Sequence, residues 1–135
     1  MELCKSAELG RRIKVQFSYI AGSEAEQYDF VRIPKTLISN DYFADLSNPS
    51  RILYGLLFDR MSSSPKNRWQ DSDGHVYVIY PVPELTEDLH LSERKVMSCL
   101  QELEKIGLIE RRKQGRGFPN RIYVRNFSPV NNHEV

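Results

Sequence analysis

The chain has 135 residues, of which 40% are apolar and 27% are charged, and its net charge at neutral pH is +1. This length and composition predict one soluble globular domain with a single apolar core. Its two cysteines, Cys4 and Cys99, are 95 positions apart and lack any partner spacing, so the sequence suggests neither a disulfide framework nor a zinc knuckle. No apolar run approaches the ~18 residues of a membrane span and the amino terminus lacks a signal-peptide core, so we expect a cytoplasmic protein without a membrane partner.

The charge is distributed unevenly along the chain. Residues 93–125 contain nine basic and four acidic side chains, a net charge of +5, and since the whole chain carries +1 the remainder carries −4. A basic face of this kind most often serves a polyanionic partner, and double-stranded DNA is the partner expected here. The alternative is a solvated surface of uneven charge.

The first 27 residues are polar and mixed, and we expect them to form an N-terminal arm. Four apolar residues alternate within the arm and predict one edge strand that pairs with a second copy of the chain: Ile13, Val15, Phe17 and Tyr19. Residues 30–34 predict a short extended run that ends at its proline, and residues 41–45 predict a brief helical turn around Tyr42 and Phe43.

A helix is predicted from Asn48 to Met61. Ser47 is its expected N-cap, Pro49 is tolerated in the first turn, and apolar residues recur at helical spacing from Ile52 onward. This helix is expected to pack against the helices that follow it.

Residues 69–80 predict a turn that opens into a strand. The turn contains an Asp-Ser-Asp-Gly sequence, from Asp71 to Gly74, which resembles the start of a calcium loop but lacks the later ligands. Turn chemistry is therefore expected, and the sequence assigns no metal ion and no cofactor.

Two further helices are predicted close together. Pro83 begins a short helix that ends at Leu89, and Ser92 is the expected N-cap of a longer helix that Gly107 terminates. The longer helix has one apolar stripe, made of Val96, Cys99, Leu100, Leu103 and Ile106. Two helices separated by about three residues predict a helix-turn-helix.

A basic hairpin follows the second helix of this motif. Leu108 and Ile109 lead into a strand, residues 115–120 form a glycine-permitted turn, and Ile122 and Val124 alternate in a return strand. The order predicts an α+β winged helix-turn-helix, with a three-helix core, a small antiparallel sheet and a β-hairpin wing. The expected domain covers residues 28–127, residues 128–135 form a tail or linker, and the strand near Val76 pairs with the hairpin.

The winged helix assigns separate roles to its basic elements. The second helix of the motif reads bases in the major groove, and the wing holds the phosphate backbone. The expected DNA-binding residues are Arg94, Lys95, Ser98 and Gln101 on the helix and Arg111, Lys113, Arg116 and Arg121 on the wing. Strand alternation makes Arg112 and Arg125 weaker candidates. Five or six phosphate contacts predict a salt slope of about −5. A charged edge that prevents strand pairing is the alternative explanation for the wing, and a solvated charge is the alternative for each residue.

The ordered sequence pieces resemble one known family. They are Ile33-Pro34-Lys35, "YGLLFDR" at residues 54–60, Trp69 with Asp73-Gly74 and "VYVIY", "LSERKV", and "KIGLIERRKQGRGFPNRIYV" at residues 105–124. Their order and spacing over residues 28–127 resemble the RepA_N replication initiators of theta-replicating plasmids and related elements in low-GC Gram-positive bacteria.

The resemblance implies a winged-helix domain that binds repeated origin sites, called iterons, as a homodimer. It also implies that a separate carboxy-terminal domain, similar to the primosomal protein DnaD, engages host replication proteins. We expect that domain to be absent from this chain, which ends at Val135.

Three other functions were compared with replication initiation. An enzyme is not expected, because His75, His90 and His133 lack ligand spacing and no nucleophile has a base nearby in a known motif. A winged helix used for protein contacts would expose Tyr54, Phe58 and Trp69, which helical spacing and flanking leucines instead place in the core. A transcriptional repressor of the same fold is a closer alternative, since only its target site differs.

Overall fold

The structure is a computed structural model in which residues 14–23, 28–63 and 69–127 are described. The chain divides into two compact units, Met1–Phe30 and Val31–Val135. The predicted domain limits of 28 and 127 are not tested by this division and stay a prediction.

The edge strand predicted in the N-terminal arm has no partner strand within the described part of this single chain, and its pairing with a second copy stays a prediction. Residues 14–20 have neither helical nor strand hydrogen bonding, and Ile13 lies outside the described residues. Phe17 and Tyr19 are almost fully exposed. The alternation indicated a strand, but a strand needs a neighbour to supply its hydrogen bonds, and none is present within the described part of this unit.

The described part of the second unit contains four helices and four strands. In chain order they are α1 (Lys35–Ser39), α2 (Asn48–Ser63), β1 (Trp69–Gln70), β2 (Val76–Ile79), α3 (Val82–Leu89), α4 (Glu93–Ile106), β3 (Ile109–Arg112) and β4 (Arg121–Val124). A 3₁₀ turn covers Asp41–Phe43, where a helical turn was predicted. Helix α1 was not predicted. It begins directly after Pro34, which stands at its N-cap, and buries Leu37.

The four strands form one antiparallel sheet in the order β1-β2-β4-β3. Val78 lies opposite Ile122, so the predicted pairing of β2 with the hairpin is confirmed. β1 adds a second hairpin, in which Trp69 lies opposite Tyr77. Trp69 is 42% exposed, so its expected place in the core was wrong. It occupies an edge strand and stacks on Tyr77 instead.

The turn between β1 and β2 is built on Asp71. Its carboxylate accepts hydrogen bonds from the backbone N–H groups of Asp73 and His75, both at 2.9 Å. Gly74 takes a positive φ of 84°, a conformation that glycine adopts at low cost. The turn chemistry predicted for this segment is therefore confirmed.

Helix α2 begins as the sequence indicates. The Ser47 carbonyl accepts from Arg51 N–H, and the Ser47 hydroxyl accepts from the N–H of Ser50 at 3.3 Å. Glu102 of α4 reaches the same place and accepts from Ser47 N–H at 3.0 Å and from the Ser50 hydroxyl at 2.8 Å. Because Ser50 is fully buried, these bonds join the start of α2 to α4 without leaving its hydroxyl unpaired.

The helix-turn-helix is also confirmed. Helix α3 ends at Leu89, as predicted, and its C-cap His90 has a left-handed φ of 56°. The Ser92 hydroxyl accepts from the N–H of Lys95 and caps α4. Gly107 terminates α4 with a φ of 101°. The predicted stripe of α4 lies in the core, with Ile106 at its margin.

The core lies between the sheet and helices α2, α3 and α4. Its fully buried members include Leu53, Leu57, Val78, Leu85, Val96, Leu103 and Ile109. Of the three aromatics expected there, Tyr54 is buried and donates its hydroxyl to the carbonyl of Arg125, while Phe58 is partly buried. Burial raises the pKa of the Tyr54 hydroxyl. This bond fixes the end of β4 against α2.

Candidate nucleic-acid interface

Helix α4 has one face that the core leaves free. At 100° per residue, Arg94, Ser98, Gln101 and Lys105 fall on one line, opposite the buried stripe. All four side chains are exposed. Arg94, Ser98 and Gln101 were predicted to contact DNA bases, and they lie together on this line. Lys105 extends the same line by one turn and was not assigned a role.

Lys95 lies on a different flank of α4. It is exposed, and helical spacing places it two turns before Glu102 on the same flank, which meets the start of α2. Partial burial acts to raise the pKa of Glu102, yet the hydrogen bonds from Ser47 and Ser50, together with the charge of Lys95, lower it. Lys95 therefore acts on Glu102 through its charge, without an ion pair between them within the described residues.

The wing consists of β3, β4 and residues 113–120, which we call the wing tip. Lys113 and Arg116, both predicted DNA contacts, are exposed on the tip. Within the described residues, neither side chain has a hydrogen bond or ion pair, and residues 111–127 contain no acid. These two charges are available to an external anion.

Arg111 is placed differently from Lys113 and Arg116. Its guanidinium bonds to Glu104 of α4, with Nε and Nη2 at 3.0 and 2.9 Å from Oε1, and its backbone N–H donates to Oε2 at 3.1 Å. Partial burial acts to raise the pKa of Glu104, but these bonds from Arg111 lower it. Arg111 therefore links the wing to α4, and its predicted DNA contact stays a prediction.

Arg121 and Arg112 lie on the outer sheet face, which we define by Tyr77, Tyr123 and these two arginines. The Arg121 guanidinium lies over the Tyr77 ring, 4.5 Å from its centroid, and the Arg112 guanidinium lies 4.3 Å from the centroid of Tyr123. Arg121 Nε also donates to Gln114 at 3.3 Å. The DNA contact predicted for Arg121 is untested, and its side chain already has three partners in the wing and sheet.

Glu110 engages the two weaker candidates. It accepts from Arg112 Nε at 2.9 Å and from Arg125 Nη2 at 3.0 Å. The hydrogen bonds from Arg112 and Arg125 lower the pKa of Glu110. Arg112 lies opposite Arg121 in the register of β3 and β4, so these two arginines share one face of the sheet. The weaker DNA-binding role that strand alternation suggested for Arg112 and Arg125 stays a prediction.

The wing tip is a hydrogen-bonded turn. Phe118 N–H donates to the carbonyl of Gly115 at 3.2 Å, and Gln114 Nε2 donates to the carbonyl of Pro119 at 2.8 Å. Gly115 and Gly117 both have positive φ values, which explains why the turn needs glycine at these positions. The turn leaves Phe118 67% exposed.

A groove separates the wing from the start of the helix-turn-helix. Pro83 and Met97 line it on the helical side, and Arg111, Phe118 and Pro119 line it on the wing side. Helical spacing places Met97 and Glu104 on the flank of α4 that faces the wing. The exposed line of α4 is therefore adjacent, around the helix, to the flank that faces the wing. The sequence did not single out Met97 or Phe118, because neither carries charge.

One cluster in the described residues has the atoms of a metal site. Ligand atoms of Asp71, Asp73 and His75 lie within 4.8 Å of one another. The Asp71 oxygens, however, already accept from two backbone N–H groups and from the Tyr123 hydroxyl at 2.8 Å. The hydrogen bond from His75 N–H is the main cause of a lowered Asp71 pKa. We assign this cluster to the turn.

Within the residues described, none of the helices combines the length and the hydropathy needed for a membrane span.

The helix-turn-helix, the helix packed behind it and the two-stranded wing define a winged-helix domain of the α+β class. The family model described as the N-terminus of replication initiator protein A (RepA) matches residues 29–135. The chain belongs to this family, which confirms the resemblance seen in the sequence.

Solved structures with similar folds carry related descriptions. The chain is similar to an "N-Terminal domain of DNA binding protein", with a TM-score of 0.69 and coverage of 85% of this chain and 88% of that one. The chain is also similar to a "Structure of Rep-DNA complex", with a TM-score of 0.70 and coverage of 84% of this chain and 88% of that one. A third similar structure, a "Structure of MDR initiator", has a TM-score of 0.68, with coverage of 85% of this chain and 91% of that one. Each is 30% identical to this chain.

A curated relative comes from Lactobacillus helveticus. It is a "41 kDa protein" that is 38% identical over 101 residues, a match that covers 70% of this chain and 29% of that protein. The chain therefore spans less than a third of the length of this relative.

Proposed function

We propose that this chain is the DNA-binding part of a plasmid or mobile-element replication initiator, and that it binds double-stranded DNA at the origin in the cytoplasm. The observation that carries the proposal is a set of exposed basic side chains on α4 and the wing tip that have no partner among the described residues. Arg94 lies on the exposed line of α4, and Lys113 and Arg116 lie on the wing tip. The family match and the description of the similar Rep-DNA complex support the same function.

The two elements divide the work of binding. Arg94, Ser98 and Gln101 enter the major groove from α4, where an arginine that contacts guanine O6 and N7 discriminates by about 1–3 kcal/mol. Lys113 and Arg116 contact phosphates from the wing tip, and Lys95 contacts the backbone beside the helix. Arg111 and Arg121 hold the wing in position, which is an indirect role in binding.

The initiator acts on repeated sites as a homodimer in this proposal. The family membership supports this part of the proposal. Host replication proteins are engaged by a region outside the matched segment, in keeping with the greater length of the Lactobacillus helveticus relative. No catalytic role is assigned to this chain.

The decisive experiment is selection of bound duplexes from a random DNA pool, followed by sequencing. If the chain is an iteron-binding initiator, the selected sequences will match sites that occur as direct repeats at an origin. A palindromic site would indicate a transcriptional repressor of the same fold. Recovery of no sequence preference, or no binding at low salt, would contradict the proposal.

A further inference from the structure

We infer that Phe118 is an apolar wedge that enters the minor groove of bound DNA and bends it. The inference rests on the proposed DNA-binding function and adds a contact that is independent of charge. Three features of the wing tip lead to it: the exposure of the ring, the rigidity of the turn and the charge of its neighbours.

The first feature is an aromatic side chain kept out of the core. Phe118 is 67% exposed, although the chain has a groove beside it lined by Met97 and Pro83. Exposing an aromatic ring forfeits free energy that burial would supply. A single exposed apolar residue is common on protein surfaces, so exposure alone does not decide the matter.

The second feature is the construction of the turn. The Phe118 N–H bond to the Gly115 carbonyl and the Gln114 bond to the Pro119 carbonyl fix the backbone on both sides of the ring. Arg121 in turn donates to the Gln114 side-chain oxygen at 3.3 Å, which ties the tip to β4. A ring presented on a fixed backbone loses less conformational freedom on insertion than one on an unrestrained loop.

The third feature is the surrounding charge. Arg116 is two residues before Phe118 and Lys113 five residues before it, and neither is paired within the described residues. Cationic side chains beside an apolar ring match a minor groove, where phosphates line both walls and the base steps form the floor. A protein partner with an apolar pocket has no equal need for this flanking charge.

The geometry of docking agrees with this placement. With α4 in the major groove, the flank bearing Met97 and Glu104 points along the duplex toward the wing. Phe118 borders the groove on that flank. In the proposed complex the tip then meets the adjacent minor groove. Apolar side chains inserted between base steps unstack them and kink the duplex toward the major groove.

The test compares four variants on a duplex carrying the selected site. Phe118→Ala is the main variant, Phe118→Leu retains an apolar side chain, and Arg116→Ala removes charge at the same tip. Tyr42→Ala is the matched control, because Tyr42 is an exposed aromatic on the 3₁₀ turn, outside the wing. Affinity is measured across a salt series, and DNA bending by energy transfer between dyes on the duplex ends.

The expected results separate a wedge from a phosphate contact. Phe118→Ala weakens binding about tenfold at every salt concentration, because an inserted side chain contributes stacking but releases no counterions. It also straightens the duplex, and Phe118→Leu restores most of the bend. Arg116→Ala lowers the salt slope by about one and keeps the bend. 2-Aminopurine placed at the kinked step brightens with the natural chain and stays dim with Phe118→Ala.

The outcomes also separate the wedge from the proposed function. Wild-type affinity and bend in Phe118→Ala would overturn the wedge and leave DNA binding intact. If Phe118→Ala changed only the sedimentation of the protein, the tip would be a contact between copies, and the wedge would also be overturned. Failure of the natural chain to bind any duplex would defeat the proposed function and the wedge together.

Discussion

Arg111 of β3 and Glu104 of α4 are joined by both guanidinium and backbone contacts between 2.9 and 3.1 Å. The pair connects the two elements proposed to bind DNA. An arginine that sequence reasoning assigns to phosphate thus has a carboxylate partner across a helix-strand junction. Replacing Arg111 should therefore lower the free energy of unfolding more than it changes the salt dependence of DNA binding.

Arg111→Ala is expected to reduce the free energy of unfolding by about 1 kcal/mol, since a charge-assisted pair of this exposure contributes modestly. The salt slope of DNA binding should stay unchanged, in contrast to Arg116→Ala. Urea denaturation and affinity across a salt series measure the two effects. A slope lower by about one in Arg111→Ala would identify a direct phosphate contact.

Arg94→Ala is expected to relax sequence preference, because Arg94 lies on the exposed line of α4 and contacts base edges in the proposed function. The loss should be about 1–3 kcal/mol on the selected site and much smaller on a scrambled one. Arg116→Ala should weaken both about equally. Mobility shifts on matched and scrambled duplexes compare the two variants, and an equal loss from both on each duplex would refute the division of roles.

Glu102→Ala is expected to destabilise the fold by about 1–3 kcal/mol, because it removes the acceptor for Ser47 N–H and for the buried Ser50 hydroxyl. Asp45→Ala is the matched control, since Asp45 is an exposed acid near the same junction. Its effect should stay within about 0.5 kcal/mol.

The same carboxylate should make stability dependent on pH. The folded pKa of Glu102 lies below its ordinary value of 4.5, so its contribution is fully present above that pH and is lost as the pH falls through the folded pKa. Urea denaturation at about pH 7 and about pH 4 should therefore show a smaller acid-induced loss in Glu102→Ala than in the natural chain. Identical losses would contradict the assigned role of Glu102.

Gly55→Ala tests how closely residues 31–33 approach α2. Alanine in a helix interior is intrinsically favoured over glycine by about 1 kcal/mol. Here the added Cβ would lie 2.9 Å from side-chain carbons of Val31 and Ile33 and 3.2 Å from the carbonyl oxygen of Arg32. We expect a net destabilisation of about 1–2 kcal/mol with an unchanged salt slope. A stabilised Gly55→Ala variant would mean that residues 31–33 move away from α2 at little cost in free energy.

Local signals made much of the fold predictable. Ser92 and Gly107 mark both ends of α4 because a cap and a left-handed stop are set by residues next to them. The wing is equally local, since its glycines specify the turn and its alternation specifies the strands. Helix α1 escaped prediction because five residues provide no periodicity.

The partners of the basic residues were not predictable in the same way. Tyr123 bonds to Asp71 across 52 positions of sequence, and Arg112 lies over that tyrosine ring. Such contacts depend on strand order, which charge counts do not contain. The sequence therefore indicated a basic segment, but only the structure separates Lys113 and Arg116 from the arginines already engaged.

The row formed by Trp69, Tyr77 and Tyr123 gives the protein a built-in optical reporter. Trp69 is the one tryptophan in the sequence, and its ring stacks on Tyr77 at 5.9 Å between centroids, while Tyr77 lies 5.5 Å from Tyr123 in the wing. Light absorbed by the tyrosines passes to the indole over such distances. A rearrangement that changes the distance between Tyr77 and Tyr123 is expected to change the indole emission, so wing movement can be timed without attaching a label.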